Sequence, residues 1–153
     1  MINATKTVFV IDDEADLCSS IRWLLESVNL KVETYTSARS YLDKYDPKKS
    51  GCILLDIRMP DMSGLEVQKE LKTRGNTLPV IIMSGHGDIT TAVRAMKAGA
   101  VDFITKPFND QILIELIQET LNNVPSQYLQ EEFRRRFASL TAREIEVMEC
   151  MVL

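Results

Sequence analysis

Residues 8–13 read VFVIDD, four apolar residues followed by two aspartates, and three later segments share this design. Cys52-Ile53-Leu54-Leu55 is followed by Asp56, Val80-Ile81-Ile82-Met83 by Ser84, and Val101-Asp102-Phe103-Ile104 leads through Thr105 to Lys106-Pro107. Short apolar runs separated by amphipathic segments are typical of parallel strands joined by helices. Because the carboxyl ends of parallel strands lie along one edge of a sheet, we expect these polar side chains to meet there.

The rest of the first 122 residues predicts five strands alternating with five helices. Strands are predicted at Thr7–Ile11, Lys31–Tyr35, Gly51–Leu55, Pro79–Met83 and Val101–Ile104. The first helix carries Leu17, Ile21, Leu24 and Val28 on one face, and the others run over about 38–44, 64–73, 89–98 and 110–122. Gly99 is expected to end the fourth helix. This alternation predicts an α/β fold, a five-stranded parallel sheet that is doubly wound, with helices on both faces.

The pattern changes after residue 122. We expect residues 1–122 to form one domain, 123–138 a helical linker, and 139–153 the first part of a second domain. Thr141 and Glu144 have the spacing of a capping box at the start of a helix. That helix reaches Leu153 without packing partners for its apolar face, so the chain is expected to stop inside the second domain.

Composition limits the class of protein. Hydrophobic residues make up 45% of the chain and charged residues 26%, as in ordinary globular domains. The net charge of −4 argues against a nucleic-acid-binding surface on the main domain, because such surfaces are usually basic. There is no apolar run of membrane-spanning length and no secretory signal at the start. The three cysteines, Cys18, Cys52 and Cys150, are far apart and are expected to be free thiols, so we expect a cytoplasmic protein.

The predicted cluster of polar residues suits phosphoryl transfer. Asp12, Asp13 and Asp56 would repel one another unless a hard cation such as Mg²⁺ bound between them. Asp56 would then be the nucleophile, Lys106 would neutralise the transferring oxygens, and Ser84 would donate a hydrogen bond to one of them. The alternative is that the aspartates only form turns at strand ends. The isomer of the Lys106–Pro107 bond is left open.

These motifs resemble the receiver domain of two-component response regulators over residues 5–122. The matching residues are Asp12-Asp13, Asp56 with Met59-Pro60-Asp61-Met62-Ser63-Gly64, Ser84-Gly85, and Phe103 before Lys106-Pro107-Phe108; Gly85-His86-Gly87-Asp88 is similar to FixJ-like members. The resemblance implies the flavodoxin-like fold and phosphorylation of Asp56 by a sensor histidine kinase. It also implies Mg²⁺ ligation by Asp13, Asp56 and the backbone carbonyl of Arg58, with Asp12 acting through water, and a switch pair of Ser84 and Phe103.

The segment from Leu140 to Met148 resembles the opening of a LuxR-type helix-turn-helix domain. It implies that the full-length protein binds promoter DNA and regulates transcription. Because no recognition helix follows Leu153, this chain is not expected to bind DNA specifically.

We expect phosphorylation to draw Ser84 toward the new oxygens and Phe103 inward, which repacks the fourth helix, fifth strand and fifth helix and promotes a homodimer. Phe103 as ordinary core is the alternative. The wide apolar face of the fifth helix (Ile112, Leu113, Ile114, Leu116, Ile117 and Leu121) suits either a dimer interface or a covered helix.

Two other classes of protein are considered as alternatives. An aspartate-nucleophile phosphatase would need an acid/base aspartate at the position of Arg58, and a flavodoxin-like carrier would need a phosphate-cradling first loop instead of Asp12-Asp13-Glu14. We therefore expect no enzyme beyond self-phosphorylation and dephosphorylation, and a receiver without an output domain is disfavoured by the helix-turn-helix segment. Arg58 is expected at the site mouth. Trp23 is expected to pack partly, with kinase docking as the alternative.

Overall fold

A computed structural model describes residues 6–85 and 88–122 of the chain. These residues form five strands and five helices in strict alternation: β1 (Thr7–Ile11), α1 (Ala15–Glu26), β2 (Lys31–Tyr35), α2 (Ala38–Asp43), β3 (Gly51–Asp56), α3 (Gly64–Thr73), β4 (Val80–Ser84), α4 (Ile89–Lys97), β5 (Asp102–Thr105) and α5 (Asp110–Leu121). The bounds of β1, β2 and α3 are those predicted, and the other elements with a predicted range differ by one residue at one or both ends. As a consequence, Asp56 and Ser84 are the last residues of their strands.

The five strands form one parallel sheet in the order β2-β1-β3-β4-β5. Ile11 at the end of β1 pairs with Tyr35 of β2 on one side and with Leu55 of β3 on the other. The chain therefore extends the sheet first to one side of β1 and then to the other. In open parallel sheets this reversal leaves a crevice at the carboxyl ends of the strands, and Asp12 and Asp56 lie at that crevice.

Apolar side chains pack on both faces of the sheet. Alternate β1 residues point to opposite faces: Val8 and Val10 pack on the face covered by α1 and α5, and Phe9 and Ile11 on the face covered by α2, α3 and α4. Each fully buried aliphatic side chain stabilises the fold by about 1.5–3 kcal/mol. The predicted doubly wound α/β fold is confirmed.

Local signals define the helix ends. Ser63 and Glu66 form a capping box at the start of α3, in which each side chain accepts a hydrogen bond from the other residue's backbone N–H. The Asn109 side chain accepts hydrogen bonds from the first turn of α5. After α4, Gly99 has a φ of +116°, a conformation that glycine adopts more easily than other residues. The prediction that Gly99 ends this helix is therefore confirmed.

The buried face of α1 differs from its predicted form, and the face of α5 fits one of the two alternatives left open, the covered helix. The α1 residues that are fully buried are Cys18, Ile21 and Leu25, whereas Leu17 and Leu24 are only partly buried. The α5 face is wide because five of its apolar residues pack into the domain: Leu113, Ile114, Leu116, Ile117 and Leu121. Ile112 is the apolar α5 residue left outside, with 55% of its surface exposed.

Several predictions fall outside the described residues. The linker, the helix-turn-helix segment, Cys150 and His86 all lie there, and the domain boundaries stay predictions. Cys18 and Cys52 are free and buried, and burial raises the pKa of Cys18 to about 11 and that of Cys52 to about 12. Within residues 6–85 and 88–122, none of the helices has the length and apolar character needed to cross a bilayer.

Candidate functional site

Three carboxylates meet at the edge of the sheet where the strand order reverses. Asp12 follows β1 directly, Asp13 comes next, and Asp56 ends β3. One carboxylate oxygen from each residue lies within 4.8 Å of the oxygens of the other two. Asp12 and Asp56 are buried, and Asp13 is exposed. At this separation each pair of negative charges repels by about 3 kcal/mol in a partly screened environment, so the cluster needs cations nearby.

Lys106, in the loop after the edge strand β5, brings one positive charge into the cluster. Its Nζ lies 2.7 Å from Oδ2 of Asp12 and 3.4 Å from Oδ1 of Asp56. The Glu14 carboxylate, which the sequence did not single out, lies 3.7 Å from the same nitrogen. Burial alone would lower the pKa of Lys106, but the hydrogen bond to Asp12 and the charges of Asp56 and Asp12 raise it above its ordinary value. The lysine is therefore charged throughout the physiological pH range.

Backbone N–H groups hold two of the carboxylates in place. The N–H of Glu14 donates to Oδ1 of Asp12 at 2.8 Å, and the N–H of Arg58 donates to Oδ1 of Asp56 at 3.3 Å. Burial and the neighbouring charge of Asp12 raise the pKa of Asp56 to about 6, although Lys106 and the Arg58 N–H act in the opposite direction. One lysine thus offsets the repulsion only in part.

The donor set fits a hard divalent cation. All three side chains offer carboxylate oxygens, the ligands that Mg²⁺ prefers, and the exposed Asp13 leaves the cluster open to the water molecules that this ion keeps. Within the part of the chain that the structure describes, Asp12, Asp13 and Asp56 are the group found with this metal-binding geometry.

Ser84 and Phe103 lie on β4 and β5, the two strands on one side of β3. Ser84 is buried at the end of β4, and its carbonyl accepts a hydrogen bond of 2.6 Å from the backbone N–H of Lys106. Phe103 pairs in register with Ile82, below the edge of the sheet, and packs half-buried against the core on the α2–α4 face. The structure therefore brings Ser84 to the same edge as Lys106, whereas Phe103 lies farther into the sheet. The Lys106–Pro107 peptide bond is cis.

The side chain of Arg58 forms an ion pair with Asp88, which directly precedes α4. The sequence placed Arg58 at the site mouth but did not identify Asp88 as its partner. No local pattern signals this pair, because the two residues belong to loops that follow different strands. Only the packing of β3 beside β4 brings them together.

An open groove of about 1000 Å³ runs beside Glu14 and Lys106, between α1 and the loop after β5. It is lined by Leu17, Ser20, Trp23, Leu24, Lys106, Pro107 and Phe108, among others. Trp23 is 75% exposed, so the expectation that it packs against its neighbours is wrong. The physical reason is the orientation of α1, which turns Cys18 and Leu25 toward the sheet and Trp23 away from it.

The family model described as response regulator receiver domain matches residues 8–118 of this chain. The transcriptional regulatory protein FixJ of Azorhizobium caulinodans is 46% identical over 149 residues, which cover 95% of this chain and 71% of that protein. The response regulator protein TodT of Pseudomonas putida is 39% identical over 153 residues, covering 97% of this chain and 67% of TodT.

Solved structures agree with this result. The crystal structure of FixJ-N has a TM-score of 0.74 at 38% identity, covering 82% of this chain and 98% of that one. The structure of the response regulator StyR has the same TM-score and identity, and covers 97% of this chain and 77% of its own. With its sheet order, its acidic edge and these matches, the chain belongs to the two-component response regulators, and residues 8–118 form its receiver domain.

Proposed function

We propose that this chain is switched by phosphorylation of Asp56 and that a sensor histidine kinase supplies the phosphoryl group. The observation that carries the proposal is the position of the Lys106 Nζ, 2.7 Å from Asp12 and 3.4 Å from Asp56, beside a third carboxylate. A carboxylate oxygen of Asp56 attacks phosphorus, and the bond between phosphorus and the donor atom breaks. The bonding electron pair leaves with the donor.

Charge balance supports this role for the cluster. We assign Mg²⁺ to Asp13, Asp56 and the backbone carbonyl of Arg58, with Asp12 acting through water. When bound, the ion supplies positive charge to the oxygens of the transferring group. Together with Lys106 it offsets the three aspartates, so that an anionic phosphoryl group can approach. Positioning and charge neutralisation are most of what catalysis of phosphoryl transfer requires.

We assign the groove beside α1 to the kinase. It reaches Lys106 at one end and exposes Trp23, Leu17 and Leu24 along its wall, so a partner helix lying in it would bring its histidine near Asp56. An exposed tryptophan beside an open apolar groove is typical of a contact that contributes much of the binding energy at protein interfaces.

We assign the response to Ser84 and Phe103. The Ser84 hydroxyl donates to a phosphoryl oxygen, and Phe103 turns further inward from its half-buried position. The surface formed by α4, β5 and α5 then changes and forms a homodimer. Ile89 at the start of α4 and Ile112 on α5 are 58% and 55% exposed, so each offers apolar area for such a contact.

We propose that the full-length protein carries a LuxR-type output domain after residue 138 and regulates transcription by binding promoter DNA. Support comes from the similarity to FixJ, which is named a transcriptional regulatory protein and of which this chain spans 71%. The chemistry that we assign to this chain is the gain and loss of its own phosphoryl group at Asp56.

Treatment with acetyl phosphate tests the proposal. We expect intact mass to increase by one phosphoryl group when Mg²⁺ is present, and size-exclusion chromatography to show a dimer. EDTA or the substitution Asp56→Asn should abolish the mass gain. A gain that persists in Asp56→Asn, or that needs no divalent ion, would contradict the assigned site.

A further inference from the structure

Asp88 is a buried carboxylate whose charge partner lies in another loop. Its side chain is 6% exposed, whereas that of Arg58, which pairs with its Oδ1, is 75% exposed. Oδ2 of Asp88 accepts a hydrogen bond of 3.3 Å from the backbone N–H of Gly85. Among the described residues, Oδ1 has no hydrogen bond of good geometry, so the charge of Arg58 is what compensates its burial.

These contacts place Asp88 between the two strand ends that form the site. Gly85 follows Ser84 at the end of β4, and Arg58 is two residues after Asp56 at the end of β3. The N–H of Arg58 itself donates to Asp56. The guanidinium of Arg58 is therefore a solvent-facing cation next to the phosphoacceptor, and the buried carboxylate of Asp88 sets where it lies.

We propose that Asp88 is a positioning residue for the phosphoryl chemistry at Asp56, which it controls by holding the Arg58 guanidinium on the α4 side of the site. This inference rests on the proposed phosphorylation of Asp56. A phosphoryl group on Asp56 carries about two negative charges and three acceptor oxygens. It therefore competes with Asp88 for the arginine, and the outcome of that competition sets how long the phosphoryl group survives.

The direction of the effect follows from the charges. In hydrolysis a water oxygen attacks phosphorus, the bond between phosphorus and the Asp56 oxygen breaks, and its electron pair returns to the carboxylate while inorganic phosphate leaves. The transition state is loose, and negative charge is spread over the three outer phosphoryl oxygens. An arginine on those oxygens stabilises this charge and therefore speeds loss of the phosphoryl group. The same arginine attracts an anionic donor and accelerates phosphorylation.

Asp88→Asn tests the proposal because it removes the charge and keeps the oxygen that accepts from Gly85. We expect phosphorylation by acetyl phosphate to be faster and the phosphoryl lifetime about fivefold shorter, which corresponds to about 1 kcal/mol of barrier, the upper range for an ion pair with one exposed partner. Asp88→Glu, which retains the charge, should lie nearer the wild type. In an Arg58→Ala background Asp88→Asn should change neither rate.

Controls separate this role from a structural one. Glu70→Gln removes the partner of Arg74 in a 2.8 Å ion pair on α3, and it should leave both rates unchanged. The NMR signal of the Arg58 Nε–H group should shift when wild-type protein is phosphorylated, and should already be shifted in unmodified Asp88→Asn. Equal lifetimes in wild type and Asp88→Asn, or the same change in the Arg58→Ala background, would overturn the inference. An absence of phosphorylation in the wild type would instead refute the proposed function.

Discussion

Replacing Asp56 with asparagine is expected to stabilise the metal-free protein, although the substitution removes a contact of Lys106. Burial and the charge of Asp12 raise the pKa of Asp56 from its ordinary 3.8 to about 6 in the folded state. Since each pH unit between these values is worth about 1.4 kcal/mol, ionised Asp56 costs the folded protein roughly 3 kcal/mol relative to the unfolded chain. Asparagine has nearly the same shape and carries no charge, so it avoids this cost.

The sign of the pH dependence follows from the raised pKa. At a pH below 3.8 the carboxyl is protonated in both states and there is no cost. As the pH rises toward 6 the unfolded chain releases its proton while the folded protein retains it, so stability falls. Above that value the loss is complete. The advantage of the asparagine variant should therefore increase over this interval and remain constant at higher pH.

Urea unfolding in EDTA at a series of pH values measures this difference. We expect Asp56→Asn to exceed the wild type by roughly 3 kcal/mol near neutral pH and by almost nothing near pH 4. Asp43→Asn, at the exposed end of α2, is a matched control that should show little change at any pH. Adding Mg²⁺ should reduce the advantage, because the ion favours the ionised carboxylate. A variant that is less stable than the wild type near neutral pH in EDTA, or a difference that does not vary with pH, would refute the reasoning.

Three further predictions concern single side chains. Lys106→Met leaves the buried Asp12 without its cation, so we expect a loss of about 3 kcal/mol in urea unfolding and a phosphorylation rate at least tenfold lower in a mass assay. Gly51→Ala should prevent stable folding, because its Cβ would lie 1.8 Å from a backbone oxygen of β1. Gly75→Ala has open space around the new Cβ and should lower the free energy of unfolding by only about 1 kcal/mol, because of its φ of +75°. Thermal unfolding distinguishes the two variants. Trp23→Ala should change the unfolding free energy by less than about 0.5 kcal/mol, because the side chain is 75% exposed, yet reduce phosphotransfer from the kinase severalfold in a radiolabel assay.

The sheet and the position of the acidic edge could be predicted because they depend on patterns local to each segment. Four apolar residues before Asp12 and before Asp56 indicate buried strands, and helical crossovers make those strands parallel. Once the strands are parallel, the carboxylates and Lys106 must come to one edge whatever their separation along the chain. The convergence of these side chains in the structure follows from that topology, and the roles assigned to them remain for the phosphorylation assay to test.

The rotation of α1 could not be predicted from spacing. Leu17, Ile21 and Leu24 repeat at helical intervals, but so do Cys18, Ile21 and Leu25, and the two sets define faces that share Ile21. The choice depends on the surfaces of β1 and β2 against which the helix packs. Because the second set is buried, Trp23 is left exposed.

Contacts between loops also could not be predicted from the sequence. The pairing of Arg58 with Asp88 and the approach of Glu14 to Lys106 both join residues from separate strand ends, and neither has a characteristic spacing. The sequence showed that the apolar face of α5 is wide, but it did not show which surface covers that face. The contacts of α5 with the sheet and α1 show that most of this face belongs to the interior of the domain.

The reach of Lys106 across the sheet has a consequence during synthesis on the ribosome. Asp12 and Asp56 leave the ribosome long before residue 106, so for most of translation these two acidic groups lack the lysine that compensates them in the folded domain. A fragment that stopped short of that lysine would retain the α1 residues that we expect a kinase to contact, but would lack the charge needed to receive the phosphoryl group. Because Lys106, Pro107 and Phe108 also line the groove that we assign to the kinase, such a fragment would lack part of the docking surface as well, and only a chain that extends past these residues would both dock and receive the phosphoryl group.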